Sequence, residues 1–159
     1  MSEEALTKVH IDLPNHWRAG GESFWAEDLG NNLYRLRNVP FLAYGLNFYD
    51  VVEAIADSPD LKPEIRRVVE FGGHRTLRLY FEGDVETERQ AELLESLNSH
   101  SAYYERGDSV FVAIDVEPDG NYQAVFDQLL EWEKSGLLAF ESCEARQEGS
   151  FDDRPEEVV

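Results

Sequence analysis

Apolar residues in the first half of the chain recur at every second position and in short runs. Val9, Ile11 and Leu13 alternate with His10 and Asp12, which predicts a strand over Val9–Leu13 that Pro14 ends by removing a backbone donor. Asn15–Gly21, with Trp17, is then a loop. Ser23–Leu29 and Leu33–Val39 flank Gly30, Asn31 and Asn32, residues that accept the positive φ of a tight turn, so the two runs read as a hairpin. Asp50–Ala56 and Glu64–Phe71 form a second strand pair, joined by Asp57–Pro63, whose two prolines argue against a helix. At the centre, Leu33–Ala54 interleaves Tyr34, Phe41, Tyr44, Phe48, Tyr49, Val51 and Val52 with the turn-formers Asn38, Pro40, Gly45, Asn47 and Asp50. That density predicts a small β-barrel whose strands reverse every few residues, with Phe24, Trp25, Tyr34, Leu36 and Val51 in its core.

Past Gly72-Gly73 the period becomes mixed. Leu77, Leu79 and Phe81 alternate with Thr76, Arg78 and Tyr80, a strand with one apolar face. From Glu86 the spacing is helical: Ala91, Leu94 and Leu97 share a face with Leu93 beside them, while Glu88, Glu92 and Glu95 point outward. Tyr103–Arg106 and Ser109–Val116 pair around Gly107-Asp108. Asn121–Ser135 is a second helix, striped by Tyr122, Val125, Phe126, Leu129 and Leu130 and stopped by Gly136; Leu138–Ala145 is a last strand. The order strand, helix, strand, strand, helix, strand is that of a ferredoxin-like antiparallel sheet with two helices on one face. The fold class is therefore α+β. It comprises a flexible N-terminus over 1–8, a small barrel-like domain over 9–73, a ferredoxin-like domain over 74–147 and a disordered acidic tail over 148–159. Thr76, Arg78, Tyr80, Phe111, Ala113 and Asp115 line the helix-free face, a mixture that suits burial under the barrel or under a second copy of the chain; the sequence leaves both open.

Charge separates the two halves. The 159 residues carry a formal net charge of -19, yet the first 80 hold 12 acids and 9 bases, whereas the remaining 79 hold 21 acids and 5 bases. Such a surface repels nucleic acid and attracts basic proteins. No apolar run approaches the ~20 residues of a membrane span, and Met1–Asp12 lacks the plan of a secretory signal. A cytoplasmic protein is expected. Cys143 is the one cysteine, so neither an internal disulfide nor a thiolate metal cluster is available.

Candidate chemistry is sparse. His10, His16, His74 and His100 stand singly without metal-ligand spacing, and no cofactor is expected. Cys143 reads as a buried, inert thiol. Glu27 and Asp28 are neighbours on a strand and point apart, so they do not make an acid/base pair. Gly20-Gly21 and Gly72-Gly73 lack the context of a phosphate loop. Arg35, Arg37, Arg66 and Arg67 are close pairs on barrel strands; they can grip a carboxylate or phosphate, or pair with the acidic half across an interdomain seam. Trp17, Trp25 and Tyr44, near Pro40, can floor a pocket or pack a core.

The run Gly21–Ala54, with Trp25-Ala26-Glu27, Asn38-Val39-Pro40-Phe41 and Asp50-Val51-Val52 as its most specific parts, followed by Val68-Val69-Glu70 and Gly73–Arg78, resembles a bacterial family known as domain of unknown function 4265. The resemblance extends over most of Val9–Arg146 and brings no activity with it. Tyr49 departs from its pattern, because a small residue is expected before the aspartate of such a turn.

Two classes of function follow. The preferred one is a non-enzymatic, immunity-like interaction module, in which Glu88, Glu92, Glu95, Glu131 and Glu133 dock on a basic partner. The alternative is a small-molecule sensor or enzyme with a pocket between barrel and sheet, built from Arg35, Arg37, Arg66, Arg67, Trp25 and Tyr44. A homodimer is compatible with either.

Overall fold

The structure, a computed structural model, describes residues 5–14, 16, 18–144 and 151. It contains two sheets and two helices, in a mixed α+β arrangement. Strands β1 (Leu6–Asp12), β2 (Gly21–Gly30), β3 (Leu33–Leu36), β4 (Val51–Ile55) and β5 (Glu64–Glu70) pair in sequence order. Sheet A closes into a ring where β1 meets β5 in parallel at His10 and Glu64, and the His10 amide donates to the Pro63 carbonyl at 3.0 Å. Strands β6 (Arg75–Phe81), β7 (Ala102–Arg106), β8 (Phe111–Val116) and β9 (Leu138–Ser142) form sheet B in the order β7-β8-β6-β9, every pair antiparallel. Helix α1 (Thr87–Glu95) continues into a 3-10 turn over Ser96–His100, and helix α2 (Tyr122–Lys134) leads to β9.

Local chemistry explains the elements. Gly30, Asn31 and Asn32 all have positive φ, at 86°, 57° and 64°, so the β2–β3 turn uses the residues that tolerate it. The Asn121 side chain caps α2 by accepting from the Ala124 amide at 3.0 Å. At the other end, Gly136 at φ 82° lets its amide reach the Glu133 carbonyl and that of Leu137 reach the Trp132 carbonyl, a paired closure of the helix C-terminus.

Each sheet has its own core. Val9, Ile11, Phe24, Ala26, Leu36, Val52 and Ala54 fill the ring. Leu93, Leu94 and Leu97 from the first helical segment, with Val125 and Leu129 from α2, pack on Leu77, Leu79, Val112 and Ile114, so both helices lie on one face of sheet B. Every residue of β8 is buried. A helix layer alone cannot bury a strand on both sides, so its other face is covered as well.

Three expectations differ from the structure. Strand β1 begins at Leu6, before the expected Val9, because Lys8 pairs across to Trp25 and its ammonium lies 4.8 Å from that ring. Trp25 is outside the core, 45% exposed, since Phe24 and Ala26 take the inward positions on β2. The centre of the chain is not a succession of short strands: β3 ends at Leu36, and residues 37–50 carry no strand. Their aromatics instead cover sheet B. The expected tail and the final residue of the last predicted strand, Ala145, lie outside the described residues, apart from Phe151. That residue packs on the ring core, and its carbonyl accepts from the Tyr44 amide at 2.8 Å.

Candidate functional site

The segment between β3 and β4 lies on the helix-free face of sheet B, and a line of buried polar groups fixes it there. Glu22, near the start of β2, accepts at both carboxylate oxygens from the amides of Phe41, Leu42 and Ala43, at 2.7, 3.1 and 2.9 Å. This turns the carbonyls of Pro40 and Ala43 toward Arg78 of β6, whose Nη1 donates to them at 3.3 and 2.9 Å. Arg78 is 1% exposed. Its Nε donates to Glu141 of β9 at 3.1 Å, the Tyr44 hydroxyl donates to the other Glu141 oxygen at 2.9 Å, and the guanidinium lies 4.8 Å from the Tyr44 ring centre. Its Nη2 is buried without a hydrogen-bond partner among the described residues.

The electrostatics follow from that packing. Burial opposes the charge of Arg78, but Cys143, Glu141, Tyr44 and Glu22 around it hold its pKa above the ordinary value. Burial lifts Glu22 above the usual carboxylate range against the pull of its three amides and Arg78. Cys143 is fully buried, and burial pushes its thiol up to about 12, as expected of an inert cysteine.

Further along the seam, Asp50 is 0% exposed and accepts from the amides of Asn47 and Gly72, each at 2.9 Å; burial raises it to about 6. Thr76 donates to Asn47 at 2.8 Å. His74 Nδ1 lies 2.9 Å from Asp115 of β8, and its ring packs edge-on against Phe48 and beside Tyr49. Phe41 stacks edge-on against Phe111, which is itself stacked on Tyr80, and Arg18 donates to the Tyr80 hydroxyl. The cover of the helix-free face is therefore the chain's own ring unit.

One cavity lies at this seam and another in the ring unit. One of about 200 Å³ is lined by Val39 and Phe48 from the ring side and by Tyr103, Tyr104, Glu105 and Asp115 from β7 and β8. The Glu105 carboxylate accepts from the Val39 amide, and burial raises its pKa. The other, about 530 Å³, opens at the end of the ring among His10, Asp12, Ser23, Lys62 and Glu64, where Lys62 reaches the Ser23 hydroxyl at 3.2 Å.

The arginine pairs do not meet at a site. Arg35 and Arg37 both reach Glu27, at 3.4 and 2.9 Å. Arg66 pairs with Asp57 and Glu64, and Arg67 with Glu53. All these acids belong to the ring unit. Of the expected pocket residues, Tyr44 is buried in the seam, Trp25 faces outward under Lys8, and Trp17 lies outside the described residues. Glu88, Glu92, Glu95 and Glu131 are exposed on the helices; Glu133 is half-buried and accepts from the Phe140 amide at 3.1 Å. Among the described residues, no group of three or more histidine, cysteine or acidic side chains is arranged to hold a metal ion, and no helix is long and apolar enough to cross a membrane.

Sequence reasoning missed the roles of Glu22, Glu141, Glu105 and the His74–Asp115 pair. Arg78 carried a readable signal: a charge in the middle of a strand whose neighbours predict burial, directly opposite Ala113.

Residues 22–140 match the family described as Domain of unknown function (DUF4265). The chain is also similar in fold to the crystal structure of a hypothetical protein from Neisseria gonorrhoeae, with a TM-score of 0.73 at 14% identity, over 90% of this chain and 97% of that one. None of the curated proteins compared with the chain matches it.

Proposed function

The chain belongs to that family of unknown function, and we propose that it acts as a non-enzymatic, immunity-like interaction module that docks on a basic protein. The observation that carries this reading is which side of sheet B is left outside. The ring unit occupies the helix-free face through Arg78, Tyr44 and Phe41, so the helical face is the exterior. On it Glu88, Glu92, Glu95 and Glu131 are exposed together with Asp127, and Arg89 and Lys134 are the exposed bases of the two helices. A field of one sign on a rigid two-helix surface steers and orients a partner of opposite sign. With this goes our reading of the fold as a small five-stranded barrel packed on a ferredoxin-like unit, which rests on the ring closure and on the order β7-β8-β6-β9.

The test is a pull-down at low salt from lysate of the native host, eluted by a salt gradient. The wild-type chain is run beside a variant with Glu88, Glu92, Glu95, Glu131 and Glu133 all changed to glutamine. One basic protein retained by the wild type and lost from the variant is expected. The same proteins eluting from both at the same ionic strength would overturn the reading. A small ligand at the seam is the second reading, favoured by the cavity there, although Arg35, Arg37, Arg66, Arg67 and Trp25 do not line it.

A further inference from the structure

The cavity of about 200 Å³ at the seam has an unusual lining for its size. Phe48 and Tyr103 supply aromatic surface, Glu105 and Asp115 supply two carboxylates, and Val39 and Tyr104 complete the lining; among the described residues no lysine or arginine lines it. Its position follows from the fold. The ring segment covers β6, β8 and β9 through Arg78, Phe41 and Tyr44, while β7 is the edge strand on the far side of β8. On β7, Tyr103 is 45% exposed and Glu105 is exposed beside it, both on the side of the sheet that carries Asp115 and Ala113. An open cleft is left where the cover stops.

We propose that this cleft receives the guanidinium group of an arginine side chain presented by a basic protein partner, an assignment that rests on the docking reading above. Aromatic faces attract a cation through their quadrupoles, and carboxylates bind a guanidinium in a paired, directional way. The chain already uses the first of these contacts internally, since Arg18 lies 4.7 Å from the Phe111 ring and Arg75 3.5 Å from that of Tyr122. Volume narrows the occupant. Pockets for whole small-molecule ligands run to roughly 300–1,000 Å³, so a space of about 200 Å³ suits one side chain better than a metabolite. The charge balance agrees. Burial lifts both Glu105 and Asp115 above the usual carboxylate range, with the Val39 amide and His74 as their respective compensating neighbours, so a further positive charge is accommodated. Overall, the -19 charge of the chain favours the approach of a basic surface.

The experiment is a titration at low salt, followed by amide NMR shifts, with the tripeptides acetyl-Gly-Arg-Gly-amide and acetyl-Gly-Lys-Gly-amide and with free agmatine. Saturable shifts centred on Tyr103–Glu105 and Phe48 are expected with the arginine peptide. Affinity should fall at least tenfold in Tyr103→Ala and in Glu105→Gln, and Tyr103→Phe should restore most of it. Tyr103→Ala removes no charge, so a general electrostatic attraction would leave binding unchanged; that result overturns the proposal, as does the absence of saturation by the arginine peptide. Tighter binding of agmatine than of the peptide would overturn the protein source and point to a free amine. The five-glutamine variant separates the two readings. If it loses the basic partner while Tyr103→Ala retains it, helical docking stands and the cleft fails; if only the Tyr103 and Glu105 variants lose the partner, the cleft stands and helical docking fails.

Discussion

The two faces of sheet B are both rich in acids and use them in opposite ways. On the seam face, Glu22 is occupied by three amides, Asp50 by two, and Glu141 by Arg78 and Tyr44. On the helical face, Glu88, Glu95 and Glu131 are exposed, and Glu92 reaches Arg89 at 3.8 Å on the open surface. Net charge weights a buried and an exposed carboxylate equally. Stability does not, because a buried charge must be matched in place whereas an exposed one is screened by water and salt.

The largest effect expected from this contrast is at Arg78. Changing Arg78→Met leaves Glu22 and Glu141 facing the seam without their guanidinium, and it frees the carbonyls of Pro40 and Ala43. Loss of one partner from a buried charged network costs about 3–5 kcal/mol. Exposed substitutions such as Glu88→Gln stay within roughly 0.5 kcal/mol. Urea denaturation of the two variants checks both figures. A cost below about 1 kcal/mol for Arg78→Met would erase the distinction between the faces.

A second expectation sharpens the contrast through pH. Burial raises Asp50 to about 6 in the folded chain, against an ordinary 3.8. A raised carboxyl pKa means that the folded state holds the proton more tightly than the unfolded state. The stabilisation from this group is therefore complete below about pH 4 and is lost as pH rises through about 6. A carboxyl held at about 6 instead of 3.8 corresponds to about 3 kcal/mol as an upper figure. Asp50→Asn cannot titrate, so the stability difference between wild type and this variant should move in favour of the wild type as pH is lowered from 7 to 4. A difference that stays flat over that interval would show that Asp50 is not held as described.

Much of the fold was legible because it rests on local chemistry. The period-2 run Leu77–Leu79–Phe81, the Gly30-Asn31-Asn32 turn, and the Asn121 and Gly136 ends of α2 each carry their own signal, and each is where it was expected. The seam was legible only in part. Thr76, Arg78, Tyr80, Phe111, Ala113 and Asp115 could be assigned to one face by alternation, yet what covers them depends on contacts between residues 35 to 41 positions apart in sequence, such as Arg78 to Ala43 and His74 to Asp115. Aromatics in residues 41–49 looked like strand residues because a barrel core and a covering segment draw on the same side chains. Charge pairing follows a related rule. Arg35 and Arg37 find Glu27 on the neighbouring strand, where cross-strand register rather than the charge of the other half decides the partner.

The smallest expected effect concerns Tyr49, where the residue before Asp50 departs from the small side chain that the sequence pattern calls for. Its φ is 74°, a left-handed conformation that costs a non-glycine residue about 1–2 kcal/mol. Gly72 lies close against this turn, where a Cβ would meet the Tyr49 carbonyl at 2.6 Å, and its amide is bound to Asp50. In return, the Tyr49 ring lies against Phe48 and His74, with the guanidinium groups of Arg35 and Arg37 5.4 and 5.7 Å from its centre. Tyr49→Gly and Tyr49→Ala both delete those ring contacts, but only glycine releases the backbone. The glycine variant should be the more stable of the two by up to about 1 kcal/mol, less the unfolded-state entropy that glycine adds. Thermal denaturation of the pair reads the difference directly. Equal or reversed stabilities would mean that the backbone at Tyr49 is not strained, and that the seam, like the helical face, holds its side chains at no conformational cost.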